Sequence, residues 1–161
     1  VGAARQRLAL LRGRLYEMCM SFPIRSPRDP VGGIFVFGRI LDKIRLTAQG
    51  KLPAGYNVGI IAGKRTFDDR VCRLLGVEFD ALAARVAQGG TDEEILEWCF
   101  QTGRKPDAEQ VEIWNGFMSK RGWRDAASDG LVQQRQAAGL GHREDIVTFF
   151  DLFDVEEGRL P

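Results

Sequence analysis

The chain has 161 residues, of which 44% are hydrophobic and 28% charged, and its formal net charge is +1. That length and balance suit one folded domain over residues 1–161 that buries roughly 70% of its unfolded surface, and they exclude intrinsic disorder. No stretch approaches the roughly 18 apolar residues that cross a bilayer, and Arg5, Arg7, Arg12 and Arg14 interrupt any secretory core, so a soluble cytoplasmic protein is expected.

Taken in chain order, Leu8, Leu11, Leu15 and Cys19 fall at helical spacing and predict an amphipathic helix over residues 5–20. Pro23, Pro27 and Pro30 then hold an irregular loop, because each proline pushes its predecessor towards extended geometry. From Gly33 to Gln49 the spacing of Ile34, Phe37, Leu41 and Ile44 predicts a helix that stops at Gly50. Residues 51–65 read as a glycine-rich loop, with a short strand pair as the alternative.

Thr66 is placed to cap a helix running to Leu75 and stopping at Gly76. Another helix covers about residues 80–88. Thr91 and Glu94 form a capping box for the next, which carries Ile95, Trp98 and Cys99. Pro106 and Asp107 open a helix with Val111, Trp114, Phe117 and Met118 on its apolar face. A more polar helix spans residues 126–138, and Glu144 and Asp145 open a last helix through Phe153. The expected fold is all-α, a compact orthogonal bundle of about seven helices. Its core should gather Trp98 and Trp114 with Phe37, Leu41, Phe117 and Phe150, leaving Trp123 more exposed.

Catalytic and metal signatures are sparse. Gly59, Gly63, Lys64 and Thr66 miss the phosphate-loop pattern by one residue of spacing and by the intervening Arg65. The sole histidine, His142, excludes a histidine-rich metal site, and Cys19, Cys72 and Cys99 lie too far apart for a thiolate zinc site; they read as reduced thiols. No metal site is expected, and no cofactor is indicated.

Charge is unevenly laid out. Residues 1–75 carry 14 Lys and Arg against 5 Asp and Glu; residues 76–161 carry 9 against 17. Either the halves fold onto each other and cancel, or the basic half binds an anion. The basic set is Arg25 and Arg28 on a stiff loop, with Arg39, Lys43 and Arg45 on the following helix, beside Asp42. Arginine suits bidentate binding of carboxylate or phosphate, whereas the plain reading is a surface ladder of weak ion pairs. Asp151 and Asp154, three apart near the expected end of the last helix, stand where the dipole disfavours acids and need compensation. With no basic stripe interleaved with aromatics, neither nucleic acid nor membrane is an expected partner.

The order of these pieces resembles a known family. Arg25-Ser26-Pro27-Arg28, Gly32-Gly33, Arg39, Leu41-Asp42-Lys43, Arg45, Gly50 and Tyr56 come first. Asp69, Leu75-Gly76, Thr91-Asp92-Glu93-Glu94, Trp98 and Trp114-Asn115 follow. Arg143, Asp145-Ile146, Phe150-Asp151-Leu152, Asp154 and Glu157-Gly158-Arg159 close the series. Together they are similar to a bacterial family catalogued only as a domain of unknown function, number fifty sixty-nine, over about residues 22–159. Asn57 to Arg65 departs from that pattern. The resemblance implies a small bacterial protein, supplies no activity, and sharpens the choice of residues.

The candidate ligand-binding set is therefore Arg25, Arg28, Arg39, Lys43, Arg45, Tyr56, Asn115, Arg143, Asp151 and Asp154. Asp42, Lys43 and Asp145 are the candidates for proton transfer. The expectation is that the helix of Arg39, Lys43 and Arg45 faces Asp145, Asp151 and Asp154. Two functions follow: a domain that binds a small anionic or polar ligand, or a structural or protein-interaction module without catalysis.

Overall fold

A computed structural model describes residues 22–161; the helix expected over residues 5–20, with Cys19, lies outside the described residues. Seven helices occupy the described chain: α1 (Phe37–Ala48), α2 (Phe67–Leu75), α3 (Phe79–Ala87), α4 (Asp92–Thr102), α5 (Ala108–Ser119), α6 (Ser128–Ala137) and α7 (Phe149–Glu156). The fold is all-α. None of these helices is long and apolar enough to cross a membrane.

Local chemistry sets most boundaries. The Thr66 side chain accepts the Asp69 N–H at the start of α2, and Gly76 ends that helix in the left-handed conformation. Reciprocal capping boxes start α4 (Thr91 with Glu94) and α5 (Asp107 with Gln110). No strand forms over residues 51–65. The loop's polar groups turn to α2 instead: the Gly59 N–H donates to Asp68 at 2.8 Å, and the Thr66 hydroxyl donates to the Gly59 carbonyl at 3.1 Å.

Two helix starts differ from expectation. α1 begins at Phe37, not near Gly33. Gly32 and Gly33 take positive φ and fold the chain back, so that Val31 and Ile34 exchange hydrogen bonds of 3.3 and 3.0 Å. A Cβ on Gly32 would lie 2.4 Å from a Leu96 methyl, so the turn also needs the missing side chain. α5 pins it: the Asn115 amide accepts the Phe35 N–H at 3.0 Å and donates to the Gly33 carbonyl at 2.8 Å, while the Trp114 indole donates to the Phe35 carbonyl at 3.1 Å. Val36 then caps α1 at φ 75°, a strained angle for a β-branched residue, held by burial and by its N–H donated to the Pro27 carbonyl at 3.0 Å.

The last helix, α7, begins after Thr148 rather than at Glu144. Thr148 and Asp151 form a capping box there, so Asp151 occupies the first turn of the helix. The expectation that Asp151 lies at an unfavourable helix end is corrected: the dipole favours it.

The main apolar cluster draws Phe37, Ile40, Leu41, Val71, Leu75, Leu82, Ile95, Trp114, Met118 and Phe150 together, and α3 packs against α1, α2 and α4. A smaller cluster holds Leu131, Ile146, Phe149 and Leu152. Phe67 packs against both, edge-on to Phe149, Phe150 and Phe153 at 6.0, 6.2 and 5.7 Å. Trp98 is half-buried against the main cluster and Trp123 is exposed. Phe117 is not a core residue: it is 43% exposed, and two guanidiniums rather than apolar side chains lie on its ring.

Candidate functional site

The cations of α1 fan out to carboxylates from three other segments, and its Asp42 meets Arg25. Arg39 and Lys43, four apart, are both buried, which an isolated charge does not tolerate. Arg39 grips Glu157 bidentately, with Nη2 to Oε1 at 2.5 Å and Nη1 to Oε2 at 2.9 Å. Its Nη1 also donates to the Arg25 carbonyl at 2.9 Å, and the guanidinium lies over Phe153, 4.9 Å from the ring centre. Glu157, whose side chain is wholly buried, also accepts hydrogen bonds from Arg159 and from the Tyr56 hydroxyl, the latter at 2.6 Å. Burial, reinforced by the Glu157 carboxylate, pushes the Tyr56 hydroxyl well above its usual range.

Arg28 spans the two acids of α7, reaching Asp154 and Asp151 at 2.6 Å each. Asp154 further accepts from the Ser26 hydroxyl and from Arg159, both at 3.1 Å. Arg159 also donates to the Ile24 carbonyl, tying residues 24–28 to residues 151–159.

Lys43 turns the other way. Its ammonium donates to both oxygens of Asp68, at 2.6 and 2.8 Å, and to the Asn57 carbonyl at 3.0 Å. Burial holds its pKa below the usual lysine value despite the Asp68 charge.

On the remaining side, Arg25 pairs bidentately with Asp42, at 2.8 and 2.7 Å, and reaches Asp92 at 2.7 Å; Arg45 meets the other oxygen of Asp92 at 2.7 Å. Gly38 makes room, since a Cβ there would sit 2.7 Å from the Arg25 side chain.

Although burial works against it, Asp92 is held below the usual carboxylate range by the guanidiniums of Arg45 and Arg25. Its folded pKa is depressed from 3.8, so its contribution to stability is complete above that value and is lost as pH falls through the folded pKa. Asp92→Asn is expected to flatten the acid limb of stability below about pH 4, measured by urea melts across pH; an unaltered limb would contradict the pairing.

The expected arrangement is thus corrected in its partners. α1 does reach α7, but Arg39 meets Glu157, Lys43 meets Asp68 and Arg45 meets Asp92, while Arg28 takes Asp151 and Asp154. Asp145 stands on the surface, paired with Arg143 at 2.6 Å, and shares no hydrogen bond with Asp42 or Lys43. The Arg143 guanidinium holds its carboxyl at about 2. Asn115 belongs to the Gly32–Phe35 turn, far in role from the charged cluster. Asp68 and Asp92 escaped notice as partners. Their signal was local: each sits just inside a threonine-capped helix start.

Two open grooves lie elsewhere. One, of about 590 Å³, is lined by Arg85, Glu93, Glu94, Glu97, Trp98 and Gln101. The other, of about 440 Å³, lies between α1 and α3, with Ile44, Val58, Ala83 and Val86 on its walls and Arg45 as its one member of the candidate set. Among the described residues no group of three His, Cys, Asp or Glu side chains is arranged to hold a metal ion. The Cys72 and Cys99 thiols are free and buried, and burial pushes both up to about 12.

No curated protein matches the chain. Over residues 21–159 the chain matches the family described as Domain of unknown function (DUF5069), and it belongs to that family.

Proposed function

We propose that this chain is a non-catalytic interaction module whose Arg/Lys/Asp constellation clasps the fold together rather than receiving a substrate. The observation that supports this reading is valence. An ammonium has three donors, and all three of Lys43's are used by Asp68 and Asn57. The Arg39 fork is likewise committed to Glu157 and the Arg25 carbonyl, and Arg28 bridges two aspartates. A small polar ligand would have to break a buried pair before it could bind, which is costly when the abandoned partner stays buried.

The rival reading, ligand binding through the same cluster, draws on Lys43, because a buried amine of lowered pKa is a common mark of functional sites. Buried ion-pair networks produce the same perturbation, and the saturated donors favour them here. A cytoplasmic setting belongs to the proposal, on the strength of two buried, unpaired thiols.

A thermal-shift screen of wild type and Arg28→Gln against sugar acids, phosphorylated sugars and divalent cations tests it. Arg28 is partly exposed, so the variant is expected to fold. No stabilising ligand should depend on Arg28. A compound that raises the melting temperature of wild type and not of Arg28→Gln would make the cluster a binding site and overturn the reading.

A further inference from the structure

Two arginines of the described chain, Arg70 and Arg124, make no hydrogen bond or ion pair among the described residues, and Arg70 is the more enclosed of the two. Arg70, on α2, makes no side-chain hydrogen bond or ion pair among the described residues, and its Nε is buried without an acceptor. Its guanidinium is held 5.3 Å from the centre of the Phe117 ring, and Arg121 lies 5.4 Å from the same centre. Two cations thus share one aromatic ring that is itself 43% exposed.

The nearby acids are already engaged. Asp69 takes Arg73 at 3.0 Å and has Arg65 at 3.9 Å. Asp125 takes Arg121 at 2.7 Å and accepts the N–H groups of Gly122 and Ala127 at 3.1 and 2.8 Å. Arg65, Arg70, Arg73 and Arg121 therefore face two carboxylates and leave a surplus of two positive charges. Burial first, then the charges of Arg121 and Arg65, lower the pKa of Arg70 against the opposing pull of Asp69 and Asp125. The adjoining surface continues the chemistry, with Trp123 49% exposed and the Arg124 guanidinium 5.4 Å from its ring centre.

We propose that Arg70 and Arg121, carried on the ring of Phe117, form a binding point for a phosphate-type dianion. Guanidinium forks match the oxygens of such a group, and a charge of minus two cancels the local surplus. The chain's overall charge of +1 favours a free phosphorylated compound over a long polyanion as the source. This site is separate from the ion-pair clasp and goes beyond the reading given above.

The test uses the full chain, with inorganic phosphate as one probe and a short single-stranded oligonucleotide as the other. Phosphate is expected to raise the melting temperature of wild type and of Arg28→Gln, but not of Arg70→Met. Its dissociation constant should rise roughly tenfold or more in Arg70→Met, the loss of one charge-assisted donor group. Without ligand, Arg70→Met should melt no lower than wild type, because it removes a buried Nε donor that no described residue satisfies. A response to phosphate that Arg70→Met abolishes supports the proposal; oligonucleotide binding without a response to phosphate counts against it, since a backbone phosphodiester carries a single negative charge. The proposal is overturned if wild type responds to neither probe, if the response survives in Arg70→Met, or if that variant is less stable without ligand.

Discussion

Glu157→Gln is expected to lower stability by about 3–5 kcal/mol, the cost of removing one member of a buried charge cluster. In a chain of this size that lowers the melting temperature by roughly 10 °C, readable by circular dichroism. The wild-type carboxylate accepts from Arg39, Arg159 and the Tyr56 hydroxyl at once. A glutamine keeps the shape and loses the charge. It must also turn an NH2 group towards one of three donors, so a buried guanidinium is left both uncompensated and short of an acceptor. Arg39→Met should cost a similar amount, since it strands Glu157. The pair Arg39→Met/Glu157→Gln should be less harmful than the sum of the two, because residues in one network couple. Wild-type stability in Glu157→Gln would show that the clasp contributes nothing to the fold.

Lys43→Met is the second large effect, again about 3–5 kcal/mol. Methionine fills the space of the lysine stem, so the loss isolates the charge. What remains is the Asp68 carboxylate, buried at the start of α2 with the Gly59 N–H as its residual donor. Adding Asp68→Asn should restore part of the stability, since an amide oxygen still accepts from Gly59 and no buried charge remains. A double variant no better than Lys43→Met would mean that the lysine acts through packing alone. Neither variant touches Arg70, so the phosphate response described above should persist in any of them that folds.

How far the sequence discloses this arrangement depends on the range of the interaction. Thr66, Thr91 and Asp107 declared their helix starts, and Gly76 its stop, because capping is a contact over three residues. The opposite charge of the two halves also foreshadowed their pairing. The identity of each partner did not show, since Arg39 to Glu157 and Arg28 to Asp154 span more than a hundred residues and any nearby acid satisfies the pattern equally well. Local ambiguity explains other misses. Thr148-x-x-Asp151 and the acids Glu144 and Asp145 both resemble a helix start, and only the reciprocal hydrogen bonds of Thr148 and Asp151 choose between them. Phe117 follows Trp114 by three, so periodicity assigns it to the core. Its ring instead stands 43% exposed, with arginines from α2 and from the turn after α5 lying against it.

The clasp also orders events during synthesis. Ile24, Arg28 and Arg39 leave the ribosome more than a hundred residues before their partners, since the bonds Arg28–Asp154, Arg39–Glu157 and Arg159–Ile24 span 126, 118 and 135 positions. Until those late residues emerge, a nascent chain that has already formed α1 holds Arg39 without its counter-ion and cannot bury it. Contacts of such long sequence separation close slowly, since the loop entropy is spent before they reward it. Closure of the clasp therefore waits for residue 157, and a chain stalled or cut before it leaves Arg39 without its counter-ion and that side of the fold open, a ready target for proteolysis.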